Sequence, residues 1–216
     1  MTRRRGLFIN FEGPDGCGKS TQIHILAERL RAEGRMVVET AEPGGTRIGE
    51  QIRRILLDSA NQELCPTAEL LLYFASRAQN VDELILPSLG EGAVVLTDRF
   101  TDSSMAYQGF GRGLGEAAVA SLDKIACRGL MPDATVLIDV APETSLARAK
   151  QRQLRDTETR MDDQALEFHR KVRAAYLHMA GREPRRFRVV DGRASIEKVA
   201  ADVWDAVAPL LERLHV

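Results

Sequence analysis

Five short runs of this chain carry few polar residues: LFINF (7–11), MVVET (36–40), AVVLTD (93–98), ATVLIDV (134–140) and FRVVD (187–191). They are rich in β-branched residues and lack the alternation of a half-exposed strand, so each reads as a strand covered on both faces. Between them, apolar positions return at helical spacing over about 19–33, 47–58, 67–89, 101–107, 116–129, 143–154, 161–180 and 195–213. Strands that alternate with helices cannot pair through tight hairpins. They fit a parallel sheet with helices packed on it, so the pattern predicts an α/β class with a doubly wound, five-stranded parallel sheet. Apolar spacing lapses only over AKQRQLRDTETR (149–160), a polar stretch between two helices that reads as a mobile loop. There is no internal repeat, low-complexity tract or Gly/Ser linker, and 216 residues suit one domain over 1–216.

Charge narrows the chemistry. A formal net charge of -1 argues against general nucleic-acid or anionic-membrane binding, because both draw on a surplus of positive charge. Any phosphate chemistry is then local. Arg3, Arg4 and Arg5 read as a solvated terminus. Cys17, Cys65 and Cys127 are odd in number and share no metal-like spacing, which supports neither a disulfide framework nor a zinc site and suits a reducing cytoplasm. No apolar run approaches the length of a membrane span, and no apolar signal region precedes the first strand, so secretion and membrane insertion are not expected.

The stretch FINFEGPDGCGKST (8–21) holds the first chemical signal. Gly13, Gly18, Lys19 and Ser20 satisfy G-x-x-x-x-G-K-[ST] between an expected strand and an expected helix, the context that a phosphate-binding loop requires. Glycines let successive backbone N–H groups curl round an anion, and the helix N-terminus adds partial positive charge. The expected ATP contacts are therefore Gly13, Pro14, Asp15, Gly16, Cys17, Gly18, Lys19, Ser20 and Thr21, with Lys19 neutralising phosphate oxygens and Ser20 ligating Mg²⁺. Cys17 reads as a small filler. The base-reading Asn-Lys-x-Asp of GTPases and the long Ser-Gly-Gly signature of transport ATPases are both absent, which leaves a small enzyme with a second substrate.

Four further patches follow: EPGGT (42–46), YFASRAQ (73–79), DRF (98–100) and SSMAYQG (103–109). Together with the phosphate loop and in this order, they resemble the thymidylate kinases over nearly the whole chain. The resemblance implies a P-loop nucleoside-monophosphate kinase fold with strand order 2-3-1-4-5. It also implies transfer of the ATP γ-phosphoryl group to dTMP, and a homodimer. The residues agree with it. Asp98, at the carboxyl end of a buried strand, is placed to help hold Mg²⁺, and Arg99 beside it has the planar fork that suits the acceptor's phosphate. Phe74 and Arg77 share a helix face; read alone, Phe74 is core packing, while the resemblance stacks it on thymine and sets Arg77 at the base edge. By the same resemblance Ser104, Tyr107 and Gln108 surround base and sugar, Tyr107 crowds a ribose 2′-hydroxyl, and Asp15 faces the acceptor's 3′-hydroxyl. Glu42 and Pro43 approach the acceptor too, whereas Gly44 and Gly45 serve either that approach or only a turn.

Charge on the transferring group needs a further cation. Some members of the family supply an arginine from the phosphate loop after the aspartate, where this chain has Gly16. Others supply it from a lid, and the polar stretch at about 148–160 carries Arg148, Lys150, Arg152, Arg155 and Arg160. Arg152 or Arg155 is expected to be the catalytic cation, with Arg148 near the ATP base and Arg160 a structural or phosphate-side contact. The chain departs from the family pattern at Ala41, Ser76 and Thr159. Two other readings stay open: a kinase for dUMP, another monophosphate or a nucleoside, and a nucleotide-binding regulatory protein without turnover.

Overall fold

A computed structural model of the chain describes residues 5–153, 160–161 and 164–212, and the side chains of all of these but 150–153. The elements run β1 (Leu7–Glu12), α1 (Lys19–Ala32), β2 (Val37–Ala41), α2 (Arg47–Leu57), α3 (Pro66–Asn80), α4 (Leu86–Gly90), β3 (Val94–Asp98), α5 (Thr101–Ser104) and α6 (Glu116–Ala126). They continue as β4 (Ala134–Asp139), α7 (Pro142–Gln153), α8 (Leu166–Arg182), β5 (Phe187–Asp191) and α9 (Ile196–Glu212). All five strands lie parallel in one sheet, in the order β2-β3-β1-β4-β5.

Burial on both faces holds for the three inner strands only. β1, β3 and β4 are buried along nearly their whole length, whereas β2 and β5 are partly exposed because each edge has a neighbour on one side. Leu7, Ile9 and Phe11 of β1 pack with α1 and α9, while Phe8 faces the opposite layer with α3, α4 and α6. A third apolar cluster joins Leu137 of β4 to Val172, Ala175 and Tyr176 of α8. In register, Phe11 and Ala41 both pair with Asp98, so β1, β2 and β3 end together at one edge. Ligands of open α/β sheets bind at that edge, beside the strand where the winding reverses.

Two expected helices are interrupted by wide turns of π-helix, Val81–Ile85 and Met105–Gly111. The first ends two residues before Pro87, whose missing N–H and bulky ring break the regular ladder. The second carries Tyr107 and Gln108 and offsets them from the register of a continuous α-helix, a form such turns often take at functional sites.

Candidate active site

The phosphate loop is shaped by neighbours as much as by its own glycines. Gly13 has φ 140°, and a Cβ there would lie 2.5 Å from the Ile138 carbonyl oxygen. Gly16 has φ 82°, and its Cβ would lie 2.4 Å from the Ser145 oxygen on α7. A side chain at position 16 is therefore excluded here by the backbone of α7. Lys19 is buried, with Nζ 3.2 Å from both the Gly13 and Pro14 carbonyl oxygens and 3.9 Å from Asp98 Oδ1. Burial pushes the Cys17 thiol up despite nearby Lys19, so it stays protonated and acts as packing.

At the end of β3 the Ser20 hydroxyl donates to Asp98 Oδ2 at 2.8 Å. These are two hard oxygens beside the phosphate loop, the donor set that Mg²⁺ takes when nucleotide phosphates complete its shell. Among the described residues, no group of three or more His, Cys, Asp and Glu side chains could cage a metal alone.

Arg99 follows with φ 76°, a left-handed conformation that costs an arginine energy and needs surrounding contacts to hold it. Its NH2 donates to Asp15 Oδ1 at 2.7 Å and Tyr107 Oη at 3.2 Å, and its NH1 to Ser103 Oγ at 2.9 Å and Tyr176 Oη at 3.2 Å. The turn itself is held from β1. Glu12, fully buried, accepts from Asn10 Nδ2, Phe100 N and Ser103 N at Oε1, and from Ser103 Oγ and Tyr176 Oη at Oε2. Burial pushes the Glu12 carboxyl up and Asp102 adds to it, while Arg99 and the hydrogen bonds from Ser103 and Asn10 pull it back. Asp15 goes the other way. Burial would raise it, but the charges of Arg99 and Lys19 hold it well below the usual carboxylate range, so it is an anion at neutral pH.

The far end of the site rests on α3. Arg77 is 1% exposed; its Nε donates to Glu42 Oε2 at 2.5 Å, NH1 to Ser104 Oγ at 3.1 Å and NH2 to the Phe100 oxygen at 3.1 Å. The loop from Glu42 is pinned on several sides. Ser76 Oγ accepts from Gly44 N at 3.0 Å, Arg53 NH1 donates to the Pro43 oxygen at 2.9 Å, and the Glu42–Pro43 bond is cis. Ser76, a departure from the family pattern, is thus part of the loop's support. A Cβ on Gly45 would meet Thr40 Oγ1 at 2.2 Å, so this glycine serves the packing of the turn. Beyond Arg77, Gln108 Nε2 donates to Glu69 Oε1 at 2.8 Å, and Arg112 and Arg160 also reach Glu69.

These groups line one open cleft of about 420 Å³. It collects Asp15, Gly16, Gly18, Lys19, Ser20, Thr21, Glu42, Pro43, Arg77, Asp98, Arg99, Ser104, Tyr107 and Gln108 from among the expected site residues. Gly13, Pro14 and Cys17 sit behind the loop's surface. Phe74 is not on the wall: it is buried with Leu70 and Val81, its ring 4.6 Å from the Arg77 guanidinium, and Tyr73 lines the cleft instead. Arg148 is also off the wall, with NH1 donating to the Gly192 oxygen at 3.1 Å. Arg160 is buried and structural, bonded through Nε to the Leu56 oxygen at 2.5 Å. Arg152 lies in α7, its side chain outside the described residues, as are Arg155 and Thr159 altogether. Sequence reasoning passed over Glu12, Tyr73, Ser103, Tyr176 and Glu69. Tyr73 and Ser103 each open one of the patches singled out there and Glu12 directly follows the run LFINF, whereas Glu69 and Tyr176 left no sign.

Comparison with known proteins adds a separate line of support. The family model "Thymidylate kinase" matches residues 11–203. The thymidylate kinase of Trichlorobacter lovleyi is 49% identical over 214 residues, covering 97% of this chain and 99% of that protein. That of Geobacter sulfurreducens is 49% identical over 205 residues, with 94% and 96% covered. That of Caldanaerobacter subterraneus subsp. tengcongensis is 47% identical over 208 residues, with 96% and 98% covered.

Proposed function

The chain belongs to the thymidylate kinase family and phosphorylates dTMP to dTDP with ATP as donor, and we propose how its residues divide that work. One observation carries the assignment: the phosphate loop, the Asp15–Arg99–Tyr107 group and the Arg77–Gln108 group open into the same cleft. Donor phosphates and an acceptor nucleotide can then meet without a covalent intermediate. An acceptor phosphate oxygen attacks the γ-phosphorus in line as the bond to ADP breaks, and the enzyme's task is alignment and neutralisation.

In this reading the backbone of Gly13–Thr21 wraps the ATP phosphates and Lys19 turns its ammonium from the loop carbonyls to the transferring group. Arg99, whose pKa is raised well above its ordinary value by Asp15 and its other partners against the effect of burial, keeps its charge and grips the dTMP phosphate through its fork. Asp15 accepts the sugar's 3′-hydroxyl, and Tyr107 fills the space a 2′-hydroxyl would need. Arg77, Ser104 and Gln108 meet the base edge. Phe74 supports Arg77 from the apolar cluster, and Glu42 with Pro43 closes the acceptor end. Ser20 and Asp98 would hold Mg²⁺, which when bound would neutralise charge on the donor phosphates. Arg148 lies near the ATP base. Arg152 or Arg155 supplies the remaining cation from a lid at about 148–160, since the Gly16 position cannot.

The protein works as a homodimer in the cytoplasm. Leu71 of α3 and Ile125 of α6 are 52% and 74% exposed on two helices that pack together, an apolar surface a second copy would cover. Light scattering of the purified protein tests this, and a monomer mass at micromolar concentration would remove it. Among the described residues, no helix is long and apolar enough to cross a membrane.

The test of function is ADP formation from ATP and Mg²⁺ with dTMP, dUMP, UMP, dCMP and thymidine offered separately. Preference for dTMP is the expected result. Rates equal to the acceptor-free control for every compound would refute it.

A further inference from the structure

Gln108 is 1% exposed and lines the cleft, so its amide has little freedom to turn over. Which end faces the acceptor is set by Glu69, in the first turn of α3 and wholly buried. Glu69 Oε1 accepts from Gln108 Nε2 at 2.8 Å and Arg112 Nε at 3.2 Å; Oε2 accepts from Arg112 NH2 at 3.1 Å and lies 2.7 Å from Arg160 NH2. Two guanidinium groups therefore oppose one carboxylate. Burial would favour its neutral form, but the hydrogen bonds from Arg112 and Gln108 bring it below the usual range. An ionised carboxylate only accepts, so the amide must present nitrogen to it and oxygen away from it.

We infer that Glu69 is a specificity-determining positioning residue: from α3 it locks the Gln108 amide with its oxygen toward the cleft, presenting an acceptor to the N3–H of a pyrimidine. The inference rests on the acceptor reading above and adds the reason for its base preference. Beside this acceptor stands Arg77, a donor only. An acceptor next to a donor complements the N3–H and O4 of thymine or uracil. Cytosine carries the opposite pair, an unprotonated N3 and an amino group at C4. It would set acceptor against acceptor and donor against donor, leaving polar groups unpaired in a buried pocket. The arginines serve this too, because they keep Glu69 charged and hence keep the amide from reversing.

The test measures kcat/KM of the full-length protein for dTMP, dUMP and dCMP in the parent, Glu69→Gln, Gln108→Leu and the double variant. Glu69→Gln can donate as well as accept, which releases the amide, and Gln108→Leu removes the acceptor outright. Each single variant is expected to lower the dTMP:dCMP ratio at least about tenfold. The dTMP:dUMP ratio should stay within about twofold in both, since these bases share the edge in question. In the double variant Glu69→Gln should add nothing to the ratio set by Gln108→Leu. A purely structural role for Glu69 would weaken all three acceptors alike and leave the ratios fixed, which would overturn the inference. Should Glu69→Gln fail to fold, Gln108→Leu alone still decides, because an unchanged dTMP:dCMP ratio there removes the acceptor role. A parent enzyme with no preference for dTMP over dCMP would instead sink the acceptor reading beneath it.

Discussion

Glu12 anchors the turn that presents Arg99, and shortening it to alanine has a calculable effect. Asn10 Nδ2, Phe100 N and Ser103 N all donate to Glu12 Oε1 at 3.0–3.1 Å within the buried interior. Each buried donor left without an acceptor costs about 1–3 kcal/mol. Removing the carboxylate also relieves the burial of a charge that the interior disfavours, which offsets part of the loss. A net destabilisation of about 3 kcal/mol is expected for Glu12→Ala, or a melting temperature lower by about 6–12 °C for a chain of this size. Glu12→Gln separates positioning from stability. Its oxygen can still serve the three donors, while its amide nitrogen faces Ser103 Oγ and Tyr176 Oη, hydroxyls that rotate to accept it. That variant should stay within about 1 kcal/mol of the parent in stability. Both hydroxyls also accept from Arg99 NH1, however, so its aim should suffer. kcat/KM for dTMP should fall about tenfold, equivalent to ~1.4 kcal/mol, with KM for ATP little changed. Calorimetry and steady-state assays with each substrate varied would measure both effects. If Glu12→Ala melted within a degree or two of the parent and bound dTMP equally well, the account of Arg99 as held from β1 would be wrong.

Three other outcomes are expected. Replacing Arg152 or Arg155 with alanine should lower turnover at least about tenfold, ~1.4 kcal/mol of barrier, and unchanged single-turnover rates in both variants would take this segment out of the chemistry. Asp98→Asn should raise the Mg²⁺ concentration needed for half-maximal rate about tenfold, and an unaltered Mg²⁺ titration would mean that Asp98 does not support the metal. Asp15 has a folded-state pKa below its ordinary value of 3.8, so its stabilising effect is complete above that pH and fades as pH falls below it. The stability gap between the parent and Asp15→Asn should therefore be flat from neutral pH to about 5 and shrink in stronger acid; a gap that widened with acid would contradict the Asp15–Arg99 pairing.

The sheet was legible because its signal is local: apolar strands, helical spacing and one glycine-rich turn fix the class and the strand order follows from family likeness. Edge exposure was not, since Val37 and Val189 have the same apolar character as inner-strand valines and differ only in having one neighbouring strand fewer. The wide turns escaped because periodicity averages over a helix and hides a single extra residue, though Pro87 marked one of them. In the site, the patches marked most of the residues that line the cleft, but not the supporting residues whose contacts are made to partners far away in sequence. Tyr176 reaches Glu12 across 164 positions, and Glu69 reaches Gln108 across 39. Phe74 shows the converse: its helix face was read correctly, but the face spans both core and cleft, and its ring lies on the core side beside Arg77.

The crowding at Gly16 bears on how freely kinases of this kind exchange one source of positive charge for another. With the Ser145 oxygen and the Ala149 nitrogen of α7 2.4 Å and 3.0 Å from where a Cβ would stand, arginine cannot be grafted there by one substitution. A Gly16→Arg change would have to displace α7 from the loop before its guanidinium could reach the cleft. In this chain, then, the loop and α7 are fitted to each other, and a side chain at position 16 requires a backbone shift as well as a substitution.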